Sequence, residues 1–164
     1  MFDFTTLITD RTQRDVDGAN RLNDNNSGSK LGFGKLGSFV LGSLNSYLKG
    51  AYTAEDKNRV GNAVNDLSER FYAAGYEKTQ TAKTDWTDEA EPNKNDLLTY
   101  LNLIGKIRDK ITVLESTPSV PSDMRFFGYE EANDIEEILV DVDLLLNNSQ
   151  NAVFYSGDLY GGEV

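Results

Sequence analysis

Apolar residues recur at steps of three and four along three stretches of the chain, which is the spacing of one face of an α-helix. These stretches cover about residues 53–74, residues 93–116 and about residues 129–148. The pattern predicts three amphipathic helices that bury one face each. The apolar positions are Val60, Ala63, Val64, Leu67, Phe71 and Ala74 in the first stretch, Leu97, Leu101, Ile104, Ile107, Ile111 and Leu114 in the second, and Ala132, Ile135, Ile138, Leu139, Val142, Leu145 and Leu146 in the third.

Residues with capping chemistry stand at the ends of these stretches. Thr53 followed three residues later by Asp56 is a capping-box pattern, in which the hydroxyl accepts a hydrogen bond from a free N–H of the first turn. Gly75 fits the left-handed position just beyond the last turn of the same helix. Asn93 is predicted to cap the second helix and Gly128 the third.

Two further helices are predicted from weaker patterns. One covers about residues 10–22, and the other covers residues 36–50, where two glycines each cost about 1 kcal/mol relative to alanine. Between them, residues 23–35 are rich in Asn, Gly and Ser, which predicts a flexible surface loop. The apolar positions of these two helices are Val16, Ala19 and Leu22, and then Leu36, Phe39, Val40, Leu44, Tyr47, Leu48 and Ala51.

The last stretch, residues 152–164, is predicted to be an aromatic tail rather than a helix. Aromatic and β-branched residues flank the turn signal Ser156-Gly157-Asp158, so we expect a small hairpin or an extended segment that packs on the helices. The two prolines within residues 117–122 predict a short extended connection. Together these features predict one compact all-α domain over residues 1–164, a bundle of about five helices with a short C-terminal extended or hairpin segment.

The composition narrows the chemistry that the protein can perform. Its 164 residues include no cysteine and no histidine, which excludes thiol nucleophiles, disulfides, Cys or His metal sites and histidine acid–base catalysis. We expect that any catalysis by this chain would be carboxylate-based. We therefore predict that the protein is not an enzyme and has no catalytic, cofactor-binding or metal-binding residues.

The charge balance restricts the partners. Sixteen basic against 27 acidic residues give a formal net charge of −11, which repels phosphate backbones and anionic lipids. No apolar run reaches the roughly 18 residues needed to cross a bilayer. The opening residues Met1-Phe2-Asp3-Phe4 lack the basic and apolar regions of a signal peptide. We expect no nucleic-acid partner, no membrane partner and no signal peptide.

Seven carboxylates and no basic residue lie along the last predicted helix. Paired carboxylates can bind a hard cation or perform acid–base chemistry. These residues fall mainly opposite the apolar stripe, so the favoured interpretation is a solvated helix face. They are Glu130, Glu131, Asp134, Glu136, Glu137, Asp141 and Asp143.

Trp86, the single tryptophan, lies in a polar segment between two predicted helices. An exposed tryptophan beside carboxylates suits stacking on a sugar ring or anchoring a partner protein. The favoured alternative is that Trp86 folds back and fills the gap between two helices, because large aromatic residues are mostly buried. Phe154, Tyr155 and Tyr160 pose the same choice at the C-terminus.

Several blocks together resemble a small family encoded in bacteriophages and prophages of Gram-positive and gut bacteria and associated with tail, baseplate or fibre genes. The resemblance covers nearly the whole chain and supplies no catalytic residues. Its blocks are Ile8-Thr9-Asp10-Arg11-Thr12 with Asp15-Val16, Lys49-Gly50-Ala51-Tyr52-Thr53 running through Asn58-Arg59-Val60-Gly61, Lys83-Thr84-Asp85-Trp86-Thr87, Tyr129-Glu130-Glu131-Ala132-Asn133-Asp134-Ile135-Glu136, and Phe154-Tyr155-Ser156-Gly157-Asp158.

This resemblance implies a non-enzymatic structural or adaptor protein of the phage virion, assembled in the host cytoplasm. Its expected partners are other virion proteins and further copies of itself, and the expected contact residues, if exposed, are Trp86, Phe154, Tyr155 and Tyr160. Two alternatives belong to other classes. The acidic helix could mimic nucleic acid and inhibit a host protein, or the Trp86 segment could bind a host glycan.

Overall fold

A computed structural model describes residues 1–28, 49–87, 93–124 and 127–160, with side chains described up to residue 21 in the first range and residue 150 in the last. This part of the chain contains α-helices, one short 3₁₀ helix and no strand, so the all-α prediction is confirmed. The elements are the 3₁₀ helix Phe4–Thr6, α1 (Gln13–Gly28), α2 (Ala54–Ala73), α3 (Lys94–Arg108) and α4 (Tyr129–Tyr160).

The ends of α2 follow the predicted caps. The Asp56 carboxylate accepts a hydrogen bond from the Thr53 N–H at 2.8 Å, and the Thr53 hydroxyl accepts from the Asp56 N–H, which completes the capping box. At the other end, Gly75 has φ +92°, a conformation that favours glycine. The Tyr76 N–H donates to the Phe71 carbonyl at 3.0 Å, and their rings meet edge to face. This is a Schellman ending with its hydrophobic contact.

The α3 helix begins where predicted and ends early. The Asn93 side chain caps its first turn, but the last helical residue is Arg108, so the expected extension to residue 116 is wrong. Residues 111–113 are three consecutive β-branched residues, which favour extended chain over helix. The Arg108 guanidinium donates to the Pro118 carbonyl at 2.9 Å and ties the following segment back to the helix.

Both ends of the chain are more helical than predicted. The α1 helix continues to Gly28 through the first part of the predicted loop, and residues 29–35 lie outside the described residues. The α4 helix continues to Tyr160, so the predicted hairpin or extended tail is wrong for residues 152–160. No proline interrupts this helix, and its single glycine costs about 1 kcal/mol, which a long helix tolerates.

The predicted helix over residues 36–50 falls almost wholly outside the described residues, which resume with a turn at residues 49–50. The described residues therefore contain four α-helices where the sequence predicted about five.

The core forms where α2, α3 and α4 pack against one another in all three pairings. Burying one large aliphatic or aromatic side chain contributes roughly 1.5–3 kcal/mol, so this shared face dominates the stability. The buried hydrophobic residues are Leu7, Ala54, Val60, Ala63, Val64, Leu67, Phe71, Ala82, Trp86, Tyr100, Leu101, Leu103, Ile104, Ile107, Ile135, Ile138, Leu139, Val142 and Leu146.

A non-helical segment, here called the α2 strap (residues 79–86), runs back along one polar face of α2. The Asn58 side chain accepts from the Trp86 N–H at 2.8 Å and donates to the Trp86 carbonyl at 3.0 Å. Asn65 makes the same pair of bonds to Ala82, at 2.7 and 3.2 Å. Buried backbone groups outside helices and sheets need partners, and these side-chain amides supply both a donor and an acceptor.

The same face of α2 contributes two further contacts to the α2 strap. The Ser68 hydroxyl accepts from the Thr79 N–H at 3.0 Å and donates to the Thr79 carbonyl at 3.3 Å. At Gly61, an added Cβ would lie 2.4 Å from the Lys83 carbonyl oxygen, so glycine lets the two backbones approach. The α2 strap is therefore held at regular intervals along its length.

Residues 7–12, here called the N-terminal strap, lie on α4 and are held there by side-chain amide hydrogen bonds of the same kind. The Asn133 side chain accepts from the Arg11 N–H at 2.9 Å and donates to the Arg11 carbonyl at 2.9 Å. One turn further along α4, the Glu136 carboxylate accepts from the Ile8 N–H at 2.6 Å. This places the Arg11 side chain between α2 and α4.

Candidate functional site

Four charged side chains meet inside the protein and form what is here called the charge cluster: Arg11, Asp56, Arg59 and Glu136. The N-terminal strap supplies the first, α2 the next two and α4 the last. Glu136 is 0% exposed, and Arg11 and Asp56 are also buried. Charged side chains are almost never fully buried unless they are paired, so the cluster is a defining feature of the fold.

The two guanidinium groups share both carboxylates. The Arg11 Nη2 atom lies 2.6 Å from Glu136 Oε1 and 3.0 Å from Asp56 Oδ1. The Arg59 Nη2 atom lies 3.0 Å from Glu136 Oε1 and also pairs with Asp56. Two positive and two negative charges cancel, so the net charge of −11 is carried by the rest of the chain.

The carboxylates of the charge cluster stabilise the charged form of Arg59. Burial alone lowers the pKa of the Arg59 guanidinium, but Glu136 and Asp56 outweigh this effect and raise that pKa above its ordinary value. Arg11 also donates to the Ile8 carbonyl at 2.5 Å, and its guanidinium lies 5.5 Å from the centre of the Tyr52 ring. Its guanidinium therefore meets two carboxylates, a carbonyl and an aromatic face.

A pair of tyrosines lies beside the charge cluster. The Tyr52 and Tyr100 hydroxyls share a hydrogen bond between α3 and the residue that precedes the α2 cap. Burial raises the pKa of Tyr52, and burial together with Tyr52 raises the pKa of Tyr100. Both rings therefore stay neutral. The charge cluster and the tyrosine pair together join the N-terminal strap, α2, α3 and α4 through polar contacts. Their role is therefore to stabilise the fold.

A small cavity of about 140 Å³, here called the Trp86 cavity, opens between the α2 strap and α3. Trp86 is 7% exposed, and within the described part of the chain its Nε1 atom has no hydrogen-bond partner. The Lys83 ammonium lies 4.7 Å from the centre of the Trp86 ring and 3.9 Å from the Asp96 carboxylate. The lining includes Gln80, Lys83, Trp86, Asp96, Thr99 and Tyr100.

A larger open groove of about 540 Å³ runs beside α3 and is here called the α3 groove. Leu98, which lines the α3 groove, is 42% exposed. At Gly105 an added Cβ would meet only a Val120 methyl group, at 4.0 Å, so the floor has free space. The walls include Leu98, Leu101, Gly105, Lys106, Val120 and Pro121.

The four residues predicted to contact a partner protein lie in two different parts of the structure. Trp86 is buried between α2 and α3, which is the packing alternative favoured from the sequence. The Phe154, Tyr155 and Tyr160 positions lie on α4, and their side chains fall outside the described part of the molecule. Their role in partner contacts stays a prediction.

The acidic face of α4 is only partly a solvated face. Glu136 belongs to the buried charge cluster, so its assignment to a solvated face is wrong. Asp143 pairs with Arg70 at 2.5 Å, and Asp141 accepts from the Thr117 hydroxyl at 2.5 Å. Within the described residues, no group of three or more acidic side chains is placed to hold a metal ion.

The charge cluster was not predicted, although one signal for it was present. Glu136 stands four residues after Ala132 and three before Leu139, inside the apolar stripe of α4. A carboxylate at such a position needs a buried cation. Nothing in the spacing identifies Arg11 as that cation, because the two residues are 125 positions apart.

Comparisons with protein families, with curated proteins and with solved structures gave no match to this chain. In the described residues, no helix is both long enough and apolar enough to span a bilayer. The function must therefore be inferred from the residues and geometry of the chain.

Proposed function

We propose that this protein is a non-enzymatic structural or adaptor component of a phage virion, associated with the tail, baseplate or fibre. It acts through protein–protein contacts with other virion proteins or with further copies of itself, and it assembles in the host cytoplasm. The α3 groove is the observation that carries this proposal. The resemblance of the sequence blocks to phage-encoded proteins supplies the context.

The α3 groove has the features of a surface that another protein covers. Its walls combine an apolar part, formed by Leu101, the partly exposed Leu98, Val120 and Pro121, with a polar part formed by Asn102, Lys106, Asp109 and Ser122. Covering apolar surface is favourable by roughly 25 cal/mol per Å². Lys106 stands among these residues and supplies a charged rim. An apolar centre with a polar rim is the usual anatomy of a protein–protein interface.

The buried charge cluster also suits a structural role. It ties the beginning of the chain to α2 and α4 through salt bridges that solvent does not reach. Because Glu136 is completely buried and both of its oxygen atoms accept hydrogen bonds, it is committed to the fold.

Purified particles of the phage or prophage that encodes the chain provide the test. Mass spectrometry of intact particles should detect the protein, and crosslinking should join the α3 groove to a second virion chain or a second copy. The Leu98→Gln variant should lower incorporation about tenfold, the effect expected for one interface anchor.

Leu144→Gln is the matched control for this experiment. Leu144 is 51% exposed on α4, lies outside the α3 groove and undergoes the same chemical change. Its variant should be incorporated normally. If intact particles lack the protein, or if both variants are incorporated equally, the proposal is wrong.

The nucleic-acid mimic has less support than the adaptor role. Glu136, Asp141 and Asp143 already have partners within the protein, which leaves a smaller free acidic surface on α4. Burial raises the pKa of Asp134, and the charges of Glu131 and Glu130 raise it further. A mimic would still form a salt-sensitive complex with a basic host protein, which a pull-down at low and high ionic strength detects.

A further inference from the structure

We propose that two copies of this chain exchange residues 1–16, so that the N-terminal strap of each copy fills the groove between α2 and α4 of the other. The product is a closed dimer with two-fold symmetry. The exchange rests on the proposed function in one respect, since it requires that copies of the chain meet during assembly. Three observations carry it: how the segment is connected, how the groove holds it, and the charge that it supplies.

A segment outside the α-helices bridges each pair of core helices in the described part of the chain. The α2 strap runs between α2 and α3, and residues 111–122 run between α3 and α4. Each of these is also part of the covalent link between the two helices that it bridges. Residues 1–12 bridge α4 and α2, but they lead into α1 and do not link these two helices. Another copy can therefore supply this bridge without any change in the path of the core helices.

The groove between α2 and α4 holds the beginning of the chain mainly through its backbone. At one end, the Asp66 carboxylate of α2 accepts from the Phe2 N–H at 2.8 Å. At the other end, the Asn133 side chain of α4 makes two hydrogen bonds to the Arg11 backbone, both at 2.9 Å. Between these ends, Leu7 is buried in the core. Sites for extended peptides use the same combination of main-chain bonds and side-chain pockets.

The charge of Arg11 is what the groove needs most from this segment. The Arg11 guanidinium lies 2.6 Å from Glu136 and 3.0 Å from Asp56, and Arg59 is the second cation of the charge cluster. A groove without a strap would keep two carboxylates and one arginine, and such a buried imbalance is costly. Each copy carries one groove and one strap, so reciprocal exchange leaves every charge cluster neutral.

Residues 49–50 also contact the exchanged segment. The Lys49 Nζ atom lies 2.7 Å from the Asp10 carboxylate. At Gly50 an added Cβ would lie 2.1 Å from the Asp15 carbonyl carbon, so glycine lets the two backbones touch. The start of α1 therefore moves with the strap, and the exchange remakes both contacts in the receiving copy.

The connection to the rest of the chain is long enough for exchange. Residues 29–48 lie outside the described residues. A chain of this many residues spans up to about 70 Å when fully extended, whereas the 32 residues of α4 measure about 48 Å. A segment tethered to its own groove has an effective concentration of about 1 mM. We therefore expect exchange only where copies are concentrated, as in an assembling particle.

Isotope mixing on the unmodified full-length chain tests the exchange. Equal amounts of ¹⁴N and ¹⁵N protein are unfolded together in urea, refolded at about 1 mM and separated by size. A carbodiimide then joins the Lys49 ammonium to the Asp10 carboxylate, both of which solvent reaches, and mass spectrometry reads the isotopes of the linked peptides. In the dimer, about half of these links should join a ¹⁴N peptide to a ¹⁵N peptide. In the monomer, none should.

The ion pair between Lys78 and Glu69 is the matched control. Its charged atoms lie 2.5 Å apart, and both side chains are exposed. Because both residues lie outside the exchanged segment, their links should stay within one isotope in the monomer and in the dimer. Refolding at about 10 μM, roughly a hundredfold below the effective concentration, should give monomer.

Two defective variants test the same groove by complementation. Arg11→Gln removes the cation of the strap, and Glu136→Gln removes a carboxylate of the groove. Each variant alone leaves an unbalanced charge in its cluster. In a mixed dimer, each groove receives the strap of the other variant, and both clusters are neutral. After joint refolding, the mixture should contain about ten times more folded dimer than either variant alone.

The exchange is ruled out if refolding at about 1 mM gives no dimer, or if the links between Lys49 and Asp10 in a dimer stay within one isotope. Equal amounts of folded dimer from the mixed and the separate variants would also rule it out. None of these results bears on incorporation into particles, which tests the adaptor role, so the two proposals fail separately.

Discussion

Replacing Glu136 by glutamine tests how far the charge cluster holds the fold together. The substitution preserves the shape of the side chain and removes its charge, so within the cluster Arg11 and Arg59 share only the Asp56 carboxylate. Breaking a buried ion pair by removing one partner costs about 3–5 kcal/mol. Because Glu136 is 0% exposed and bonds to both arginines, we expect a loss in this range.

Urea unfolding followed by circular dichroism measures this loss. The expected change is a large fraction of the roughly 5–15 kcal/mol that stabilises a typical domain, and it should lower the Tm by about 10 °C. Glu137→Gln is the matched control, since it makes the same chemical change at the next residue, which is half-buried and outside the charge cluster. Its cost should stay within about 0.5–1 kcal/mol.

Adding Arg59→Gln to Glu136→Gln separates charge imbalance from lost packing. The double variant leaves Arg11 paired with Asp56 at 3.0 Å, and the cluster is neutral again. Its destabilisation should fall short of the sum of the two single effects by roughly 0.5–3 kcal/mol. Strict additivity, or a Glu136→Gln variant as stable as Glu137→Gln, would refute this account of the cluster.

Three further measurements probe the straps and α1. Gly61→Ala should destabilise the protein, because its Cβ would lie 2.4 Å from a carbonyl oxygen of the α2 strap, whereas Gly105→Ala should stabilise it by about 0.5–1 kcal/mol in thermal unfolding. Asn58→Ala should cost roughly 1–3 kcal/mol and alter tryptophan fluorescence, whereas the exposed Asn62→Ala should do neither. Hydrogen bonds from Thr12 lower the pKa of Asp15 below its ordinary 3.8. The stabilisation of the start of α1 by Asp15 is therefore complete above pH 3.8 and is lost as the pH falls through the lower pKa of the folded state. An NMR titration of the Thr12 amide measures this loss.

The helices with strong local signals could be predicted from sequence. The Thr53 and Asn93 caps and the Gly75 ending depend on neighbours within a few residues, and all three were confirmed. Helix length was less predictable. The continuation of α4 to Tyr160 was missed because a short aromatic run has no periodicity that distinguishes a strand from a helix.

The charge cluster and the Trp86 cavity could not be predicted from the sequence, for a different reason. Each depends on which segments become neighbours in three dimensions. The α2 residues Asn58, Gly61, Asn65 and Ser68 are spaced by three and four, so they form a polar stripe that could have been recognised as a second buried face. The segment that covers this stripe, and so the position of Trp86, follows only from the fold.

The N-terminal strap shows why a buried charge is useful even where its net contribution to stability is small. Ile8 and Arg11 are three residues apart, and so are their partners Glu136 and Asn133 on α4. A slip of the strap by one residue would move the Arg11 guanidinium away from Glu136 and Asp56 and leave Arg59 alone with two carboxylates. The buried cluster would then carry an unbalanced negative charge, which is costly. An apolar contact at the same place would tolerate such a slip, because hydrophobic burial has no direction. The charge cluster therefore selects one register for the strap, and that register fixes how the beginning of the chain closes over α2 and α4.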